Sequence, residues 1–125
     1  MTVTHSWTLP ADTTAAAAAR GWVASSLATW GDGADAVSIA SELCTNAILH
    51  GSPPQNLKLV IDDDNLHLEV TNRRGAGGTI PKMTNQRPVI AGSGGRGLQL
   101  VEALAGSWGT DIDPELITVW ADIPR

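Results

Sequence analysis

Residues 73 to 96, RRGAGGTIPKMTNQRPVIAGSGGR, hold six glycines and two prolines and show no sustained hydrophobic period. Ordering glycine costs backbone entropy and proline withdraws a hydrogen-bond donor, so no long helix or central strand runs through such a stretch. It reads as a loop far longer than those that normally join elements in a compact domain, and loops of that length are usually functional. The core of this 125-residue chain must therefore come from the periodic segments on either side.

Val3, His5, Trp7 and Leu9 alternate with Thr4, Ser6 and Thr8, the period of a strand with one buried face, and Pro10 ends it. From Ala11 to Trp30 the chain is rich in alanine, and Ala16, Ala19, Val23, Leu27 and Trp30 recur at helical spacing. The sequence GDGAD then breaks the pattern, with Asp32 or Asp35 available to cap a second helix that runs to about His50. Gly51, Ser52, Pro53 and Pro54 stop it. Leu57, Leu59 and Ile61, then Leu66, Leu68 and Val70, alternate with other residues on either side of the turn-like DDDN and predict a hairpin. Leu98, Val101, Leu104 and Ala105 mark a short helix, and two strands follow around Trp108 and from Ile117 to Ile123, turned at Asp113-Pro114.

The order β-α-α-β-β, loop, α-β-β does not alternate as a doubly wound parallel fold requires. It predicts an α/β (α+β) two-layer sandwich, with helices on one face of a mixed, largely antiparallel sheet. Residues 1–125 are expected to form a single domain, long enough to bury a core without disulfides or metal.

Charge and composition narrow the partners. With 13 acidic and 8 basic residues the net charge is −5, which argues against nonspecific binding to nucleic acid. The single Cys44 cannot form an internal disulfide and sits in an apolar helical pattern, as a small core residue would. No stretch approaches the ~20 apolar residues of a bilayer crossing. The start, MTVTHSW, lacks the basic and apolar regions of a signal peptide. The expectation is a cytoplasmic protein with neither nucleic acid nor membrane as partner.

Two segments carry chemistry. Drawn as a helix, SELCTNAILHG (41–51) places Glu42, Asn46 and His50 on one polar stripe, while Val37, Ala40, Leu43, Cys44, Ala47 and Ile48 occupy the opposite arc. Spacing alone leaves two readings. The stripe is either a solvated helix face or a site in which a carboxylate and a carboxamide one turn apart hold hydrated Mg²⁺ or orient a hydroxyl. In AGSGGRGLQLVEALAG (91–106), Gly92, Gly94, Gly95 and Gly97 lead into a helix. Unobstructed backbone amides, the positive end of that helix and Arg96 suit an anion such as phosphate, with a flexible connector as the plainer alternative. No G-K-[ST] follows, so this is not the common phosphate loop.

Taken in this order and separation, the two segments are far more specific than either alone. SELCTNAILHG closely resembles the N box of the ATPase superfamily of gyrase, the heat-shock chaperone, histidine kinases and mismatch-repair proteins, and GSGGRGLQLVEALAG resembles its G2 box. The resemblance covers nearly the whole chain. The stand-alone size and the closing WGTDIDPELITVWADIP look most like the anti-sigma-factor serine/threonine kinases. That resemblance implies the histidine-kinase-like (Bergerat) fold, the cofactors ATP and Mg²⁺, and a role in transcription regulation. The implied partners are a sigma factor and an anti-anti-sigma-type antagonist phosphorylated on serine or threonine. A homodimer is also in keeping with it, given the exposed edge of the N-terminal strand.

Position by position, the resemblance assigns Glu42 to the catalytic acidic residue and Asn46 to the Mg²⁺ and phosphate ligand. It sets His50 close to the nucleotide and Thr118 near the base. Gly94, Gly95, Arg96, Gly97 and Leu98 match the phosphate-contacting turn, which Gly92 precedes, and the segment from Gly75 to Gly95 resembles the family's ATP lid.

The chain departs from the family at the adenine motif. Relatives follow the second hairpin strand with D-x-G-x-G, the Asp accepting a hydrogen bond from the adenine amino group. Here LHLEVT runs into Asn72-Arg73-Arg74-Gly75-Ala76-Gly77. Strand register puts Asn72 at the Asp position; a slip of one residue would put Arg73 there, with Gly75 and Gly77 then matching the motif. An Asn oxygen still accepts, as a neutral group. The usual Gly-Lys before the final strand is likewise replaced, by Glu115-Leu116-Ile117. Two further readings therefore stay open: an ATPase-fold interaction module with weak or no nucleotide binding, and a detached histidine kinase catalytic domain.

Overall fold

The computed structural model describes residues 2–28, 30, 33–73, 82–84, 87–89 and 96–124, and their side chains except at 50, 82–84, 87–89 and 96–99. The chain opens with β1 (Val3–Thr8), then α1 (Ala15–Ser26) and α2 (Ala34–His50). The helix predicted from Ala11 starts four residues later, because Asp12 folds back on Thr14. Its carboxylate accepts hydrogen bonds from the Thr14 N–H at 2.8 Å and from the Thr14 hydroxyl, and these bonds lower its pKa. At α2 neither predicted aspartate caps the helix. Gly33 holds the N-cap without a side-chain bond, and Asp35 lies in the first turn, where its charge favours the helix dipole.

The hairpin comes next, as β2 (Ser52–Ile61) and β3 (Asn65–Arg73). β2 begins five residues before the alternation shows it. Its first stretch carries Pro53 and Pro54, which have no N–H to give, and the ladder to β3 is irregular between Ser52 and Gln55. Within the Gly-rich segment, β4 (Lys82–Thr84) pairs antiparallel with β5 (Arg87–Val89) as a separate two-stranded sheet, so that segment is not wholly loop. Gly75, Gly92, Gly94 and Gly95, and most of the lid expectation, lie outside the described residues. α3 (Arg96–Leu104), β6 (Ser107–Ile112) and β7 (Leu116–Pro124) complete the chain. The β6-β7 turn falls at Asp113-Pro114 as predicted, with the Asp113 carboxylate accepting from the N–H groups of Glu115 (2.9 Å) and Leu116 (2.6 Å).

The main sheet has the order β1-β2-β3-β7-β6, and every neighbouring pair in it is antiparallel. One face carries Leu57, Leu59, Leu66, Leu68, Val70, Ile117, Val119, Ala121 and Ile123, all buried. Against it pack Val23 and Leu27 from the α1 segment, Ile39, Leu43 and Cys44 from α2, and Val101 from α3. Each such Leu or Ile contributes about 1.5–3 kcal/mol by leaving water, and this face holds the helices in place. The other face is open and polar: Thr4, Ser6 and Lys58, then His67, Glu69, Thr71, Thr118, Trp120 and Asp122, each partly or fully exposed. Helix-covered on one side, antiparallel in pairing, the architecture is the predicted two-layer α+β sandwich.

Candidate functional site

α2 runs across the buried face of the sheet in contact with β3 and α3. The predicted apolar arc is where the core is: Ala40, Leu43, Cys44 and Ala47 are buried, with Val37 and Ile48 packed at its margin. Burial pushes the Cys44 thiol up to about 12, so it stays protonated and inert in the core.

Glu42 and Asn46 of the polar stripe are not bulk-solvated. Glu42 is half-buried, and Asn46 is only 7% exposed. The Nδ2 of Asn46 is buried with no hydrogen-bond partner among the described residues. A buried amide without a partner costs about 1–3 kcal/mol, so a folded chain that keeps one invites an explanation beyond packing. His50 ends α2, one turn further on.

Asn72 approaches the same end of the helix from the sheet. It lies in phase with Leu66, Leu68 and Val70 on the helix-facing side of β3 and is 6% exposed, whereas Arg73 is exposed and pairs with Leu116 on the opposite face. On β3 it is Asn72, and not Arg73, that turns toward the helix-covered side. The Asn72 Nδ2 donates to the Arg73 carbonyl at 3.1 Å. It also abuts Gly51, the residue that closes α2. A Cβ on Gly51 would stand 1.8 Å from the Asn72 Nδ2 and 2.9 Å from the Ala47 carbonyl. Glycine is thus required here for close approach, its backbone being ordinary extended chain with φ −115°.

One residue of this cluster escapes motif reasoning. Gln55 is 2% exposed, pairs with Asn72 across the β2-β3 ladder, and donates from Nε2 to the Ala47 carbonyl at 2.5 Å. A signal was available: counting back by twos from Leu59 and Leu57 puts a polar residue at 55 on the apolar face.

Other predicted residues are distributed as follows. Arg96, Gly97 and Leu98 form the first turn of α3, beside α2. Thr118 is not brought to Glu42 and Asn46. It lies on the open face of β7, its hydroxyl 3.0 Å from that of Thr71, while its neighbour Ile117 pairs with Asn72 on the buried side. Among the described residues there is no group of three His, Cys, Asp or Glu side chains placed to hold a metal ion, and no helix long and apolar enough to cross a membrane.

The sequence pattern of the histidine kinase-like ATPase domain matches residues 9–121, most of the chain and all of the cluster just described. Among curated proteins none matches it in sequence. Among solved structures, the crystal structure of the RsbU and RsbW domains of Rv1364c from Mycobacterium tuberculosis superposes with a TM-score of 0.68 at 21% identity. The match covers 98% of this chain and 33% of that one. This chain therefore spans about a third of the length of that crystallised chain, and the likeness speaks for a shared fold.

Proposed function

We propose that this chain, which belongs to the histidine kinase-like ATPase domain family, binds Mg-ATP beside α2 and serves as a cytoplasmic regulatory kinase of the anti-sigma-factor type. In this reading it holds a sigma factor and phosphorylates a serine or threonine of an antagonist protein. The observation that carries the nucleotide site is Asn46, a buried carboxamide whose Nδ2 is without a partner among the described residues, one helical turn from a half-buried carboxylate. The exposed edge of β1 supports a homodimer.

The residues present fit the group. Mg²⁺ commonly keeps several waters and takes one or two protein ligands plus phosphate oxygens, so the Asn46 carboxamide suffices from the protein side. Arg96, Gly97 and Leu98, with Gly92, Gly94 and Gly95 before them, would meet the phosphates, where helix N-terminal amides and a guanidinium favour negative charge. His50 would lie near the nucleotide. Asn72 would face the adenine; with its Nδ2 committed to the Arg73 carbonyl, its oxygen is the atom to accept from the amino group. Mg-ATP supplies the transferable phosphoryl group and the neutralising charge. Glu42 holds and accepts the proton of the partner's hydroxyl.

Titration calorimetry with ATP, with and without Mg²⁺, is the first test, and binding that strengthens with Mg²⁺ is the expected result. Glu42→Ala should then abolish phosphate transfer to the antagonist while ATP affinity stays within about threefold of native, since the carboxylate acts on the acceptor hydroxyl. Equal loss of both would make Glu42 a binding group. A second reading rests on the neutral Asn72: the fold is kept as a protein-interaction module, and it predicts no heat of ATP binding at all.

A further inference from the structure

Gln55 belongs to no recognised motif, yet it is among the most buried polar side chains described, and its side-chain bond among the described residues goes to the turn of α2 that carries Asn46. We infer that Gln55 is a positioning residue for the nucleotide site, fixing the last turn of α2 against the strand pair that carries Asn72; this rests on the Mg-ATP reading above.

The Nδ2 of Asn46 makes no bond among the described residues, so that side chain takes its place largely from the backbone beneath it. Beyond the apolar packing of Leu43 and Cys44, the backbone there is tied to the sheet by a hydrogen bond at the carbonyl of Ala47, the next residue. That carbonyl accepts from the Gly51 N–H at 2.9 Å, which only closes the helix on itself, and from the Gln55 Nε2 at 2.5 Å, which ties the helix to the sheet. Gln55 is anchored in turn. Its carbonyl accepts from the Leu9 N–H at 2.8 Å, and it pairs with Asn72 where the β2-β3 ladder is irregular. Asn72 then packs its amide against Gly51 at the end of the same helix. Gln55 thus sets the metal-side carboxamide on α2 and the base-side carboxamide on β3 in one frame. Sites held to sub-ångström geometry need such supports, because a loosened support weakens binding without removing any contact to the ligand.

The test compares Gln55→Met, which keeps length and removes the donor, with Gln55→Glu, whose carboxyl can donate to the Ala47 carbonyl only when protonated. Mg-ATP affinity relative to the native chain is measured by calorimetry from pH 5 to pH 8, with a melting curve at each pH. The expectation is that Gln55→Met binds roughly 3- to 10-fold more weakly throughout. Gln55→Glu should match the native chain at pH 5 and fall to the Met level by pH 8. Variants that melt lower yet bind ATP as the native chain does would overturn the inference and leave the Mg-ATP reading intact. No ATP binding by the native chain would instead remove that reading, and the inference with it.

Discussion

The two faces of the sheet handle their polar groups in opposite ways. On the open face His67 lies between two carboxylates, with Nδ1 2.6 Å from Asp122 and Nε2 3.0 Å from Glu69, and Lys58 stands 3.9 Å from the other Glu69 oxygen. Thr71 and Thr118 share a hydrogen bond across the ladder. On the covered face polar groups are few and buried, and the Nδ2 of Asn46 and the hydroxyl of Thr110 have no partner among the described residues. Water would forgive an unmade bond on the open face, yet there the bonds are made. The covered face, where an orphan is expensive, leaves two groups without a partner among the described residues, one of them near the C-terminal end of its most motif-like helix. In the proposed reading, function lies on the side that gives up stability.

The sharpest way to break that comparison is Asn46→Ala. If the amide is kept for a ligand, Mg-ATP affinity should fall roughly 10- to 100-fold, the range for losing a bond to a charged group. The melting temperature should hold or rise, because an orphaned polar group is gone and alanine is the better helix former. Calorimetry and a thermal melt on the same sample decide it. A large drop in melting temperature with affinity unchanged would make Asn46 a packing residue, and the contrast between the faces would lose its functional meaning.

Asn72 sharpens the comparison at smaller amplitude. An Asp there would offer adenine a charged acceptor, and Asn72→Asp should tighten ATP binding by about tenfold, with Asn72→Ala weakening it. The structure adds a cost. The carboxylate would lack the Nδ2 donor that now serves the Arg73 carbonyl, so the tighter-binding variant should be less stable, by about 1–3 kcal/mol in a denaturant melt. Tighter binding without that loss would mean that Asp finds a different rotamer, and unchanged binding would detach Asn72 from the base.

Most of this cluster is legible in the sequence wherever a period runs long enough. Alternation through Leu66, Leu68 and Val70 carries on to Asn72, and helical spacing puts Glu42 and Asn46 opposite Leu43 and Ala47. The same alternation, counted from Ile117 and Val119, turns Thr118 to the open face, against the role that motif resemblance assigns it. What stays hidden has physical causes. The strands β4 and β5 are three residues each, too short to show a period. The start of β2 is masked by Pro53 and Pro54, which argue against a strand wherever the ladder is regular. Gln55 is hidden because a lone glutamine beside two prolines reads as loop: the alternation from Leu57 and Leu59 gives its face, but its bond to the carbonyl of Ala47, eight residues earlier, is visible only in the structure.

The smallest effect belongs to the open face. Burial by itself would lower the pKa of His67, but its hydrogen bonds and proximity to Glu69 and Asp122 outweigh that and raise it above the ordinary 6.5. Both ring nitrogens face carboxylate oxygens, an arrangement only the doubly protonated ring satisfies with two donors. A folded pKa above the unfolded one means the native state holds the proton more tightly. The stabilisation is therefore complete below about pH 6.5 and is lost as the pH rises through the folded value. His67→Gln should then melt below the native chain at pH 5.5, by no more than about 4 °C for a solvent-screened cluster, and the gap should narrow by pH 8.5. Trp120 stacks on the ring with centroids 6.1 Å apart, so its fluorescence follows the same titration without reference to the covered face. ATP affinity of His67→Gln should equal that of the native chain at both pH values. If it does not, the two faces are coupled through the sheet, and the separation of a stabilising face from a functional one fails.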